Sequence, residues 1–304
     1  MIPTFPKFKS LELSDRAEVE RFTSRHPPYS DYNFTSLWCW DIYDRVLLSK
    51  LDGHLIVQFT DDTTAEPFYS FFGSNTEFSA KLADKVFSKM EHDGLKPALR
   101  LVPENMIGVL DHGRFHIEDD PDNHDYIISL EKIMTFQGNA FQRHRYLSNC
   151  FKKQYLNAQI VEFDVGDKFT HRMIERVSAT WQQNKGYSVN HEQKALKRLF
   201  QIDHMQAPNY YGLYIKNDLV AFHVVETLCN NYAIGHFMKA DTRLKGVYSF
   251  LLQAMAKSIF ERGFRFLNIE QDLGIPGLRM AKTALRPIYY LKKYTVSKIL
   301  NSKQ

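Results

Sequence analysis

The sequence is poor in cysteine. Its 304 residues include only Cys39, Cys150 and Cys229. An odd, scattered set excludes a disulfide framework and the paired spacing of a structural zinc site. No apolar run approaches the roughly 20 residues that cross a bilayer. The opening Met1-Ile-Pro-Thr-Phe-Pro-Lys lacks the apolar centre of a signal peptide. A cytoplasmic chain without a membrane span is expected. Charge of one sign is also missing: 39 Lys and Arg against 35 Asp and Glu leave +4, which permits a nucleic-acid partner without arguing for one. There is no G-x-G-x-x-G, P-loop, G-x-S-x-G or H-E-x-x-H. Hydride transfer, P-loop ATP hydrolysis and the α/β-hydrolase mechanism therefore lose their usual support. His112 and His116 are four apart, but Gly113 argues against a helix there and no third ligand is evident, so no metal is expected. The acidic stretch from Glu118 to Asp125 reads as an exposed loop without calcium-loop spacing.

What is present is ordinary for a globular chain: 44% hydrophobic and 24% charged residues. Aromatics at 14% suit a sheet-rich core. Length alone suggests two domains. Asp52-Gly53 between the apolar runs from Arg45 and His54 is a hairpin turn. A strand from Pro67 follows, then a helix carrying Phe78, Leu82, Ala83, Val86, Phe87 and Met90, then Gly94 and a strand from Ala98. The second half repeats that order. Strands start at Tyr210, Leu219 and Tyr232, a helix carries Val247, Leu251 and Met255, and a strand from Phe266 follows Gly263. Asp52 and Asn217 are offset by 165, Gly94 and Gly263 by 169, which suggests one unit used twice. The expected division is 1–134, a first unit, and 135–304, a linker helix and a second unit.

Between the second unit's third strand and its helix lies Lys239-Ala-Asp-Thr-Arg243-Leu-Lys245-Gly246-Val247-Tyr248. A basic, glycine-bearing turn at a helix N-terminus is an anion site; the alternative is a tight turn with solvated cations. In its setting of strands, turn, helix and strand, it resembles the GNAT acyltransferase fold. That resemblance implies that Arg243, Lys245, Gly246 and Val247 bind the pyrophosphate of coenzyme A. Tyr248 stands where that family has Gly or Ala.

Asn268, Glu270 and Asp272 follow the last strand of the repeat at period two, which puts them on one face of it or its extension. Carboxylates at the C-terminal end of a sheet strand lie where ligands bind in open α/β folds. Glu270 or Asp272 there can act as general base on an amine; the alternatives are a helix cap at Asp272 and an ion pair at Glu270. Arg279 and Lys282 share a helical face and suit phosphates, carboxylates or those acids. His223, Glu226 and His236 lie on neighbouring strands. His223 and Glu226 are three apart and face opposite sides unless a bulge intervenes, so a buried, hydrogen-bonded histidine is expected.

The segment Asn268-Ile-Glu-Gln-Asp-Leu-Gly-Ile-Pro-Gly-Leu-Arg-Met-Ala-Lys282, with Pro287 and Leu291-Lys-Lys-Tyr, resembles a bacterial family of unknown function. That family is itself similar to the C-terminal domain of phosphatidylglycerol lysyltransferase. Tyr29-Ser-Asp31-Tyr-Asn33-Phe, Trp38-Cys-Trp40 and Phe136-Gln-Gly-Asn-Ala-Phe fit the same family. The resemblance implies an α/β (α+β) fold of two tandem GNAT-like units, each a mixed, mostly antiparallel sheet flanked by helices, as in Fem-type transferases. It implies an acyltransferase or aminoacyltransferase with no tightly bound cofactor. Acyl-CoA or aminoacyl-tRNA would be the co-substrate, and a small-molecule or peptide amine or hydroxyl the acceptor; tRNA is then a partner. A lipid acceptor is less expected, because the lysyltransferase's membrane portion has no counterpart in this sequence. Glu270 and Asp272 would be catalytic, and Asp31, Asn33, Asn268, Arg279 and Lys282 would bind substrate; Asp31 and Asn33 equally fit a capped turn. The first unit is expected to be degenerate, because Phe72-Gly73-Ser-Asn-Thr-Glu77 stands where the second has its basic turn. The rival is a non-catalytic binding module on the same fold. The basic residues Arg143, His144, Arg145, Lys152 and Lys153 of the linker, like Lys292, Lys293, Lys298 and Lys303, read mainly as solvated cations.

Overall fold

The spacing of apolar residues is realised as the elements it predicts. The computed structural model describes all residues except 25, 62–63, 74–79, 109, 111–112, 164–167, 187–189, 204–205, 230 and 300–304. Phe78, the turn from Ser74 to Glu77 and His112 thus lie outside the described residues. The chain begins β1 (Lys9–Ser10), α1 (Arg16–Thr23), α2 (Phe34–Trp40), β2 (Leu47–Leu51), β3 (His54–Thr60) and β4 (Pro67–Gly73). Next come α3 (Ala80–His92), β5 (Ala98–Pro103), α4 (Glu104–Ile107), β6 (Phe115–Asp119), β7 (Asp125–Ser129), α5 (Leu130–Thr135) and α6 (Gln142–Gln154). β8 (Ala158–Phe163), α7 (Lys168–Lys185), α8 (Asn190–Leu199), β9 (Asn209–Ile215), β10 (Asp218–Thr227) and β11 (Tyr232–Ala240) follow. The remainder is α9 (Val247–Glu261), β12 (Phe266–Asn268), α10 (Pro276–Ala284), β13 (Tyr289–Leu291) and β14 (Lys293–Lys298).

Two compact units result. One holds Met1–Asp125, Gln271–Ile275 and Tyr290–Gln304; the other holds Tyr126–Glu270 and Pro276–Tyr289. By compactness, residues 126–134 go with the second unit and 290–304 with the first.

The first unit is built on a seven-stranded sheet of order β1-β2-β3-β4-β5-β14-β6. Asp52 and Gly53 take φ of +45° and +84°, the left-handed pair that a two-residue hairpin needs, and so set Leu51 opposite His54. α3 crosses from β4 to the parallel β5 and buries Leu82, Ala83, Val86, Phe87 and Met90 against Ile56, Phe71 and Leu99. The last strand, β14, pairs antiparallel with both β5 and β6. The acidic stretch from Glu118 to Asp125 is exposed at Glu118, Asp119, Pro121 and Asp122, as read, but it also ends β6 and opens β7 around a short turn, with Asp125 fully buried.

The second unit carries a seven-stranded sheet of order β13-β7-β12-β11-β10-β9-β8. From β7 to β8 its neighbouring strands pair antiparallel except for β11–β12, which are parallel and which α9 connects. α9 buries Val247, Leu251, Leu252, Met255, Ala256 and Ile259 against Leu213, Ala221, Val225 and Leu267 of the sheet. α7 and α8 occupy residues for which the sequence suggested no element.

Candidate active site

In the second unit, β11 and β12 lie parallel over three pairs, ending at Ile234 opposite Asn268. β11 then runs on to Ala240, whereas β12 stops. The cause is local. Asn268 is fully buried, and its Oδ1 accepts the Glu270 N–H at 2.7 Å, while Glu270 takes φ of +60°. The two strands therefore part at their carboxyl ends, the edge where open α/β sheets hold ligands. The period-two reading of Asn268, Glu270 and Asp272 fails here, because this side chain-to-backbone turn replaces the strand.

β11 carries a bulge. Val224 and Val225 of β10 face Phe237 and Gly235, so His236 is the extra residue. Its imidazole lies between two carboxylates: Nε2 is 3.2 Å from Glu226 and Nδ1 is 3.5 Å from Glu270. Only 1% of the histidine side chain is exposed, against 9% for Glu226 and 16% for Glu270. Burial by itself pushes such an imidazole down, but Glu226 and then Glu270 outweigh it and raise His236 to about 9. His223, one strand over, is pushed down to about 3 by burial, with the charge on His236 adding to it. Its buried Nδ1 has no hydrogen-bond partner. The expected buried, hydrogen-bonded histidine is thus His236 and not His223. Sequence spacing weighed Glu226 against His223 and did not weigh it against His236. The legible signal was an acid and a histidine, Glu226 and His236, on adjacent strands.

Because α9 connects two parallel strands, its N-terminus lies at the carboxyl edge of β11, the same edge at which Glu270 leaves β12. The helix starts after Gly246, whose φ is +86°. A Cβ on Gly246 would stand 2.1 Å from the Leu147 carbonyl oxygen of α6, so this glycine also lets two helices meet. Val247 is buried in the core, and Tyr248 packs against it. Arg243 is 72% exposed and grips Asp241 with both Nε (2.9 Å) and a terminal nitrogen (2.7 Å); that contact, ahead of opposing burial, lowers the Asp241 carboxyl. Lys245 lies 5.2 Å from the centre of the Tyr146 ring. Lys282 of α10 donates to the Ile269 carbonyl. Arg279 is exposed on α10, a helix with no buried residue. Among the described residues, no group of three His, Cys, Asp or Glu side chains is arranged to hold a metal, and no helix is long and apolar enough to cross a membrane.

Asp31, Asn33 and Asp272 belong to the first unit. Asn33 caps α2 by accepting from Ser36 N–H at 3.0 Å. Asp272 is fully buried and accepts from Gly274 N–H at 2.8 Å, forming a turn. Asp31 is ion-paired with Lys293, whose Nζ is also 2.8 Å from Asp125. Ser30 Oγ lies 2.6 Å from Asp125 and 2.6 Å from the Gln271 side-chain amide. Lys293 is fully buried, which corrects its reading as a solvated cation. Burial, then Asp125, raises the Asp31 carboxyl against the pull of Lys293. Burial would lower Lys293, but Asp125 and Asp31 raise it. Two carboxylates share one ammonium, so the excess negative charge favours a proton on Asp31.

The family model described as phosphatidylglycerol lysyltransferase, C-terminal, matches residues 23–297. Among solved structures, the chain is similar to a conserved protein of unknown function from Bacteroides thetaiotaomicron. The two are 25% identical with a TM-score of 0.83, over 98% of this chain and 100% of that one. L-PGS from Bacillus licheniformis is 13% identical, with a TM-score of 0.67, over 99% and 95%. FemX is 8% identical, with a TM-score of 0.61, over 95% and 96%. Comparison with curated proteins gives no match. Each unit is a mixed, mostly antiparallel sheet with helices, a fold shared with L-PGS and FemX.

Proposed function

Because the chain belongs to the family of the phosphatidylglycerol lysyltransferase C-terminal domain, we propose that it is an acyl- or aminoacyltransferase. It moves the group from acyl-CoA or aminoacyl-tRNA to an amine or hydroxyl of a small molecule or peptide. One observation carries this reading. Glu270, backed by a buried histidine, stands on the sheet edge that also receives the N-terminus of α9. Residues 135–304 supply the donor site, and 1–134 form a degenerate unit without one.

The donor's phosphates lie against Arg243, Lys245 and the backbone at Gly246 and Val247, where the helix dipole favours negative charge. As the neutral amine or hydroxyl attacks the donor carbonyl, Glu270 takes its proton and backbone N–H groups hold the oxyanion. The leaving thiolate or ribose oxygen recovers the proton from Glu270. Asn268 shapes the Glu270 turn, and Lys282 braces the same turn through Ile269. Arg279 meets substrate from α10. Asp31, Asn33 and Asp272 act by holding the turns of the first unit.

A second reading, a binding module without chemistry, is favoured by the pairing of Arg243 with Asp241 and by the bulk of Tyr248 beside the donor turn. Mixing the full chain with labelled acetyl-CoA, longer acyl-CoAs and charged tRNA separates the two. The transferase reading expects saturable binding of one donor, lost in Arg243→Ala. It also expects transfer that falls about 100-fold or more in Glu270→Gln with binding kept. Binding without transfer favours the module; binding of none of them overturns the transferase.

A further inference from the structure

A strand needs a reason to give up ladder pairing, and bulges recur next to active sites because they re-aim a side chain. Here the pairs on either side of the bulge, Ile234 with Glu226 and Phe237 with Val224, fix the strand faces. The extra residue between them swings onto the Glu226 face, where the ion pair forms. Packing alone does not explain the trio. Well-packed apolar residues of similar volume would be as stable as a buried ion cluster. The bulged residue instead touches the one carboxylate of the trio that keeps the largest exposed fraction, Glu270 at 16%.

We propose that His236 is a positioning residue of this site: seated in the β11 bulge, its imidazole fixes the Glu270 carboxylate through Nδ1 while Glu226 anchors it through Nε2. This role rests on the reading of Glu270 as the base. The two nitrogens constrain the chemistry. A neutral imidazole has one N–H and can serve one carboxylate, whereas an imidazolium donates to both. The carboxylates that face it are Glu226 from β10 and Glu270 from the end of β12, and the charge on His236 in turn helps to lower His223 of β10. The raised affinity of His236 for its proton agrees with that count.

The test has two arms on the full chain. In the first, ¹⁵N-histidine spectra are followed from pH 5 to 10, with the His236 signal assigned from His236→Gln. The expected midpoint is near 9, falling in Glu226→Gln and again in Glu270→Gln; a midpoint near the ordinary 6.5 overturns the clamp. If His236→Gln does not fold, the two glutamate variants carry this arm. In the second, transfer is measured with whichever of acetyl-CoA or charged tRNA is turned over. His236→Gln should lower kcat 10- to 100-fold, hold KM within about twofold and remove the alkaline limb of the pH profile. An unchanged kcat and profile overturns the positioning role. If no donor is turned over, the transferase reading fails and the positioning role with it. The titration then still shows whether the clamp itself exists.

Discussion

A histidine rarely stays charged inside a sheet, and His236 does so because two carboxylates reach it. Its neighbour His223 meets the opposite fate, and the pair gives the fold a pH signature. His236 is raised to about 9, so the native state holds more protons than the unfolded chain between about 6.5 and 9, and stability falls as pH rises through that window. His223 is lowered to about 3, so the unfolded chain holds more protons between about 3 and 6.5, and stability falls as pH drops. These contributions are on the order of 3 kcal/mol for His236 and 5 kcal/mol for His223. Urea midpoints from pH 4 to 10 should peak near neutrality, and His236→Gln should flatten the alkaline side; a decline that survives the substitution would count against the assignment. At this scale the sequence was only partly legible. Glu270 and Asn268 stood out as polar residues at a strand end. Lys293 did not, because one lysine in Lys292-Lys293 looks like the other until β14 turns it inward onto Asp31 and Asp125.

Among elements, α9 and its turn read most directly from the sequence: apolar spacing gave the helix, and Gly246 gave its start. The structure adds a reason for the glycine, the close approach of the Leu147 carbonyl on α6. Gly246→Ala meets both a left-handed φ and that oxygen, and should cost about 2–4 kcal/mol. A thermal melt within a degree of wild type would show that α6 gives way freely. The bulge in β11 was out of reach of local spacing, because it is a register between two strands and has no period within either. The same holds for the break after Asn268: period two describes a strand, and a side-chain bond to Glu270 N–H ends the strand.

For the whole molecule, a repeated strand–helix order predicted two units of one kind, and the two seven-stranded sheets agree. The path of the chain was not legible. β14 is short, and nothing in its residues names the partners β5 and β6, which lie far back in the sequence. Its position makes a firm prediction. A chain ending at residue 289 loses the strand between β5 and β6, and with it Lys293, leaving Asp31 and Asp125 buried without their cation. Limited proteolysis should cut within residues 1–125 of that truncation, and a first unit as resistant as wild type would contradict the topology. The same strand also sets an order of events during synthesis. At about 5–20 residues per second, β14 leaves the ribosome roughly 10–35 s after β6. Throughout that interval two strand edges stand open to other nascent chains. The part of the protein made first is thus finished last, and its yield in a cell should depend on the chaperones that shield those edges.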